Sequence, residues 1–318
     1  MKPLLLQKKP KLLTVIIPVF NEEKVLSKFV NSLTPSIKKL EEIIKVQVLF
    51  VNNGSTDRSF DILLKQDKNF KCLGILTLTR NFGYEAALIA GLENAESDVY
   101  VLIDADGEDS PEIILDFFDS ILLGNSVAVG IRGKRVESFF TAKFRELSYK
   151  FLSRISDDPF VVNAGNFAMF TKVVRDSIIL ENKSFPFLRA TISRSGFQAK
   201  FHLYDRKRRL DGVSKYRKLK LFKFAIAGFL TTTTWPLRLI SYLSVLTIPS
   251  VFLLVLINSF YSLNHLYPIV MLIMGFELLF ANAVLALYLA RVYKDTLGRP
   301  IYYVDATKSW FDKSFKIN

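Results

Sequence analysis

Two carboxylates one residue apart, Asp104 and Asp106, directly follow the apolar run at 99–103. If that run is a strand, they project from the rim of a sheet. Hard carboxylate oxygens there suit a divalent cation such as Mg²⁺ or Mn²⁺, held jointly with substrate phosphates. An Asp-x-Asp alone is weak, because acidic turns after strands are common. Cationic side chains are the second chemical resource. The formal net charge is +13, and ten Lys/Arg fall between positions 200 and 223. Such an excess fits nucleic acid, an anionic membrane surface or a phosphorylated substrate.

The elements that must carry these groups can be read from hydropathy. Apolar runs at 13–20, 46–51, 73–79, 99–103 and 127–129 alternate with amphipathic stretches over the first ~130 residues. That alternation predicts a parallel, doubly wound α/β sheet. Ligands of such sheets bind beyond the carboxyl ends of the strands. Those ends hold Pro18 to Glu23, Asn52 to Asp57, and Asp104 to Asp106.

Between Arg238 and Glu277 there is no Asp, Glu, Lys or Arg, and the apolar runs 237–257 and 266–290 each reach bilayer length. Two transmembrane helices are predicted. Their linker, 258–265, carries no Lys or Arg, whereas both flanks are basic, so the catalytic part and the C-terminus are both expected on the cytoplasmic side. Glu277 is an ionisable group inside the second apolar run and calls for a helix or subunit contact, with Asn282 nearby. The segments 138–155 and 219–229 read as basic amphipathic helices suited to a membrane interface. No export signal is visible at the N-terminus, and the single cysteine, Cys72, fits a reducing compartment. The expected organisation is a catalytic domain at 1–218, an interfacial helix at 219–236, a two-helix membrane hairpin at 237–291 and a cytoplasmic tail at 292–318.

Five motifs in order give a sharper reading. Val15-Ile16-Ile17-Pro18-Val19-Phe20-Asn21-Glu22-Glu23, Asn53-Gly54-Ser55-Thr56-Asp57, Arg80-Asn81-Phe82-Gly83-Tyr84-Glu85-Ala86-Ala87, Asp104-Ala105-Asp106-Gly107-Glu108-Asp109-Ser110-Pro111, and the run from Arg206 to Tyr216 follow one another. The chain thereby resembles family 2 glycosyltransferases of the GT-A fold, and among them polyprenyl-phosphate hexose transferases related to dolichol-phosphate mannose synthase. The resemblance spans about residues 13–305 and includes the membrane helices.

It implies an inverting transfer of a hexose, such as glucose, from a nucleoside diphosphate sugar, UDP-linked in the first reading, to a polyprenyl phosphate. Pro18, Val19, Glu22 and Asn53 would hold the nucleoside. Asp104 and Asp106, with Glu108 beside them, would hold Mg²⁺ or Mn²⁺ on the donor diphosphate. Arg206, Arg209, Ser214 and Lys215 would close over that diphosphate. Arg132 and Arg135 are the candidates for the acceptor phosphate, since guanidinium forks match phosphate oxygens. Membrane lipids are expected partners and nucleic acid is not; a homo-oligomer, dimer or tetramer, is kept open. Three positions depart from the family pattern: Asn53 for Asp, Glu108 for Gln, and Asn166 for the Asp of a G-D-F motif. They leave room for a GDP-mannose donor, or for a sugar-nucleotide-binding protein that has lost catalysis.

Overall fold

The computed structural model describes residues 9–66, 68–133, 143, 147, 154–157, 164–181, 188–206, 233–261 and 266–317. They form two compact units. One comprises Met1–Glu146, Phe160–Arg217 and Pro300–Asn318; the other comprises Leu147–Pro159 and Lys218–Arg299.

The first unit is an eight-stranded sheet with helices on both faces. Its first five strands are those the apolar runs predict: β1 (Leu12–Val19), β2 (Lys45–Asn52), β3 (Leu73–Thr77), β4 (Val99–Leu102) and β5 (Val127–Arg132). Between them lie α1 (Leu26–Glu41), α2 (Ser59–Leu63), α3 (Tyr84–Glu93) and α4 (Ile113–Leu122). Alternate residues of β1 face opposite layers, as the two-residue period of a strand requires. Leu13, Val15 and Ile17 pack with Phe29 and Leu33 of α1, whereas Ile16 packs with the Ala87–Leu92 side of α3. Both faces are therefore apolar, which suits a sheet covered on each side.

Strand order is β7-β5-β6-β4-β1-β2-β3-β8. The chain runs outward from β1 through β2 to β3, then crosses back to place β4 on the other side of β1. A switch point thus opens between β1 and β4, where sheets of this kind bind ligands. Pro18 sits at that opening. β1 pairs with β4 only as far as Ile16 opposite Leu102, while it continues alongside β2 through Val19. The missing N–H of Pro18 falls on the side that β4 has already left, so the proline costs no ladder bond.

Three further strands are absent from the hydropathy reading. β6 (Ala164–Thr171) lies antiparallel between β4 and β5, and its Ala-Gly-Asn start has weak strand propensity. It is followed by α5 (Lys172–Leu180) and α6 (Leu188–Arg194). β7 (Ala199–Tyr204) runs parallel to β5 at one edge, and β8 (Trp310–Phe311) is antiparallel to β3 at the other. The segment expected as a tail is therefore divided. Its first residues prolong a helix to Thr296, and the part from Pro300 joins the sheet unit. There the Thr79 N–H donates to Tyr303 O at 2.9 Å, the Asp305 N–H to Thr77 O at 2.8 Å, and Tyr302 Oη to Glu93 Oε2 at 2.7 Å.

The second unit is built on α7 (Trp235–Tyr261) and α8 (Leu266–Thr296), which pack against each other. At 1.5 Å per residue the shorter is about 40 Å long, against roughly 30 Å of bilayer hydrocarbon. Both are long and apolar enough to cross a membrane. Asp157 anchors the start of α7, accepting from Thr234 N at 2.6 Å, Thr234 Oγ1 at 2.8 Å and Arg238 Nη2 at 2.7 Å. Glu277 does make a helix contact, but not with Asn282. Its Oε1 accepts from Ser244 Oγ at 3.0 Å and its Oε2 from Thr247 Oγ1 at 2.7 Å, both on α7, while Asn282 Nδ2 donates to Leu278 O of its own helix. The interfacial segments expected at 138–155 and 219–236 lie almost entirely outside the described residues.

Candidate active site

Four stretches of the first unit meet at the carboxyl ends of β1, β2 and β4. The loops after β1 and β2 are laced together by their own motif residues. Asn21 Oδ1 accepts from Thr56 N at 2.8 Å, Ser59 Oγ accepts from Glu22 N at 2.8 Å, and Asp57 Oδ2 accepts from Glu23 N at 3.2 Å. Gly54 is required between them. Its φ is +66°, and a Cβ there would lie 2.4 Å from the Arg80 backbone.

Of the four residues predicted on the nucleoside, Pro18 and Glu22 are partly exposed at this rim. Val19 and Asn53 are 1% and 3% exposed. Val19 packs in the core, and Asn53 braces the loop that starts α3. Its Nδ2 donates to Gly83 O at 2.9 Å and to Asn81 Oδ1 at 3.3 Å, and its Oδ1 accepts from Phe82 N at 3.0 Å. Both amide hydrogens are thereby used.

Asp104 and Asp106 emerge just past β4, and the structure surrounds them with more acid. The turn is closed by Glu108 N donating to Asp106 Oδ1 at 3.0 Å, and Asp109 lies beneath, 1% exposed. Burial pushes Asp104 up to about 7, with Asp109 and Asp106 adding to the rise; Tyr84 and Arg132 pull the other way. Charge of one sign is thus concentrated in a site where water screens it poorly.

Arg206, two residues past β7, answers part of it. Its Nη1 lies 2.5 Å from Glu108 Oε2, its Nη2 3.7 Å from Asp106 Oδ2, and its Nε 3.5 Å from Asp109 Oδ1. Arg132, the last residue of β5, lies beside the same group and beside Tyr204. Burial depresses the Arg132 guanidinium, but Asp109, Tyr204 and Asp104 outweigh it and hold the group above its ordinary value. Gly165 makes the space, because a Cβ there would lie 3.0 Å from Arg132 Nη2. Tyr204 Oη donates to Asp109 Oδ1 at 2.5 Å, whereas Asp109 Oδ2 is buried without a hydrogen-bond partner.

Among the described residues, then, Asp104, Asp106, Glu108, Arg132 and Arg206 come together. Arg135, Arg209, Ser214 and Lys215 lie outside the described residues. Asp109 and Tyr204 belong to the same cluster and are not singled out by sequence, although Asp109 stands within the acidic motif and Tyr204 just before the basic run. The donor set suits a divalent cation: hard oxygens in excess, one of them orphaned and buried. No group of three or more Asp, Glu, His or Cys converges as a closed cage among the described residues. A cation here would need phosphate oxygens or water to complete its coordination, the usual situation for Mg²⁺.

The arrangement can neutralise and orient phosphate groups on both sides of a reacting centre. The sequence profile of glycosyl transferase family 2 matches residues 14–178, just over half of the chain. An uncharacterized glycosyltransferase of Bacillus subtilis (strain 168), YkcC, is 32% identical over 301 residues, covering 92% of each chain. A bactoprenol glucosyl transferase of Shigella phage SfX is 29% identical over 307 residues, covering 93% of this chain and 99% of that one. A prophage bactoprenol glucosyl transferase homolog of Escherichia coli (strain K12) is 27% identical, again over 93% and 99%. With its sheet, its acidic strand end and its full-length relatives in agreement, this chain belongs to glycosyltransferase family 2.

Proposed function

We propose that the chain transfers a glucosyl or related hexosyl group from a nucleoside diphosphate sugar, UDP-linked in the first instance, to a polyprenyl phosphate at the cytoplasmic face of a membrane. The observation that carries the reading is the meeting of Asp104, Asp106, Arg206 and Arg132 at one switch point. This occurs in a chain whose likeness to bactoprenol glucosyl transferases extends over 93% of its length. Two helices of membrane length and the basic flanks of the hairpin support the lipid acceptor and the orientation.

Asp104 and Asp106 would hold Mg²⁺ or Mn²⁺, which when bound offsets the charge building on the departing diphosphate. Glu108 is engaged with Arg206 and is the adjunct of that pair. The acceptor phosphate, with a second pKa near 6, is already largely ionised at neutral pH and needs no general base. This agrees with an amide, not an acid, at Asn166. A lipid phosphate oxygen attacks the anomeric carbon as the bond from that carbon to the diphosphate oxygen breaks. The nucleoside diphosphate leaves with the electron pair, and the anomeric configuration inverts. Arg132 and Arg135 hold the acceptor phosphate. Arg206 shifts from the carboxylates to the donor diphosphate as the site fills, joined by Arg209, Ser214 and Lys215. Pro18 and Glu22 line the nucleoside side, while Asn53 shapes the loop next to it.

The test is to incubate membranes bearing the full chain with radiolabelled sugar nucleotide, polyprenyl phosphate and Mg²⁺ or Mn²⁺. Label is expected in the lipid fraction, dependent on added polyprenyl phosphate. Absence of labelled lipid with every common donor, GDP-mannose included, would remove the reading.

A further inference from the structure

Behind Asp104 runs a chain of side chains that the transfer chemistry above does not use. Tyr84, the first residue of α3, donates Oη to Asp104 Oδ1 at 2.5 Å. Asn166 of β6 lies beside the Tyr84 hydroxyl and donates Nδ2 to Glu85 Oε1 at 3.0 Å. Glu85 in turn accepts from the Leu188 N–H of α6 through Oε2 at 3.2 Å. Three elements are thus tied to one carboxylate, and the Asn53 brace fixes where the first of them begins.

The direction of these bonds is set by chemistry. A tyrosine has one hydrogen, and here it goes to Asp104, so the hydroxyl oxygen is left to accept. An amide nitrogen carries two hydrogens and can serve a hydroxyl and a carboxylate together. An aspartate at 166 could serve neither, and it would set a second carboxylate against Glu85.

We propose that Tyr84, Asn166 and Glu85 are positioning residues, a hydrogen-bonded relay that fixes the orientation of Asp104 and leaves its other oxygen to a divalent cation. Partners of metal-holding carboxylates characteristically act this way, and losing one typically costs 10- to 100-fold in affinity or activity. The inference rests on the reading of Asp104 as a cation-holding residue.

The experiment titrates the detergent-solubilised full chain, free of donor, with Mn²⁺ alone, following the loss of the free-ion electron paramagnetic resonance signal; thermal unfolding is measured in parallel. Asp104→Asn is expected to abolish binding. Tyr84→Phe, which removes only the hydroxyl, and Asn166→Ala are expected to weaken it about 10- to 100-fold. The exchange Glu85→Gln with Asn166→Asp separates positioning from mere packing. It restores a bond between positions 85 and 166, and so the unfolding temperature lost in Asn166→Asp. It supplies no hydrogen to Tyr84, so Mn²⁺ affinity stays low. If Tyr84→Phe binds Mn²⁺ within twofold of the unsubstituted chain while Asp104→Asn does not bind, the relay is overturned and the cation reading stands. If the exchange restores affinity together with stability, Asn166 is structural only and its place in the relay is overturned. If Asp104→Asn binds undiminished, the cation reading falls and the relay with it. Should Asn166→Ala fail to fold, the near-isosteric Tyr84→Phe decides.

Discussion

Asp104 and Glu277 are both carboxylates met by hydroxyl donors, one at the rim of the sheet and one within the paired apolar helices. Glu277 has two donors of its own, Ser244 and Thr247, and no charged neighbour within the uncharged stretch that precedes it. Asp104 has one hydroxyl donor, and it shares its site with Asp106 and Asp109, whose charges push it up further after burial has done so. The hairpin has satisfied its carboxylate, which makes that group a clamp between two helices. The sheet rim has accumulated more negative charge than Arg206 and Arg132 disperse. That surplus marks a place built to receive cations and the phosphates they accompany.

Substitution should break this contrast in a definite order. The largest effect is expected at the rim. Asp106→Ala should lower sugar transfer by at least about 100-fold, the scale on which removal of one electrostatic stabiliser acts, measured as label incorporated into lipid. Next comes a change of opposite signs. Arg206→Gln removes the internal counter-ion, so donor-free Mn²⁺ binding should tighten by roughly 1.5- to fivefold, the worth of a partly exposed ion pair. The KM for the sugar nucleotide should rise in the same variant. Loss of both together would mean that Arg206 is only a scaffold.

In the hairpin, Glu277→Ala should cost only about 1 kcal/mol, at roughly 0.6 kcal/mol for each bond between helices in a membrane, read as thermal stability in detergent. Each hydroxyl has a single hydrogen, and without Glu277 those of Ser244 and Thr247 can turn to Ile240 O and Leu243 O of their own helix, at 3.1 Å and 3.0 Å. A loss of transfer as large as that of Asp106→Ala would erase the distinction between the two carboxylates.

The smallest effect concerns His202, whose Nε2 lies 2.8 Å from Ser120 Oγ and whose ring meets Phe117 edge-on. Burial pulls its pKa down; Asp116 opposes and Lys200 adds to the fall. The fold therefore favours the neutral form. Its contribution to stability is complete above the free imidazole value near 6.5 and is lost as the pH falls below that value. Unfolding temperatures measured between pH 7 and 5 should fall less steeply in His202→Gln.

The sequence discloses the two carboxylates unequally. Asp104 and Asp106 follow an unbroken apolar strand, so type and spacing alone place them at a sheet rim. β1 to β5 are legible for the same reason. β6 is not, because Ala164, Gly165 and Asn166 carry no strand signal; of the three only Ala164 has a ladder partner, Ile131 of β5, and pairing with β4 is confined to Ala168–Thr171. Nor is β8, two residues that pair with β3 more than 230 positions away in the chain. Residue type also cannot say which way a side chain at a strand end turns. Asn53 reads as a nucleoside contact, yet it is folded inward onto the Asn81 to Gly83 loop. Tyr84 stands within the motif that starts at Arg80 but carries no signal of this contact, and only the approach of α3 to the end of β4 brings it to Asp104. The polarity of Glu277 within an apolar run was a clear signal of a contact. Its partners were not, since Ser244 and Thr247 are ordinary residues until α7 and α8 are paired.

The most direct measurement is mass spectrometry of the lipid fraction after the purified full chain has been given polyprenyl phosphate, Mn²⁺ and each common sugar nucleotide in turn. A hexosyl polyprenyl phosphate formed by the unsubstituted chain and lost in Asp106→Ala is the expected result. No such lipid from any donor, or an undiminished yield from Asp106→Ala, would contradict transfer to a lipid phosphate at this acidic strand end.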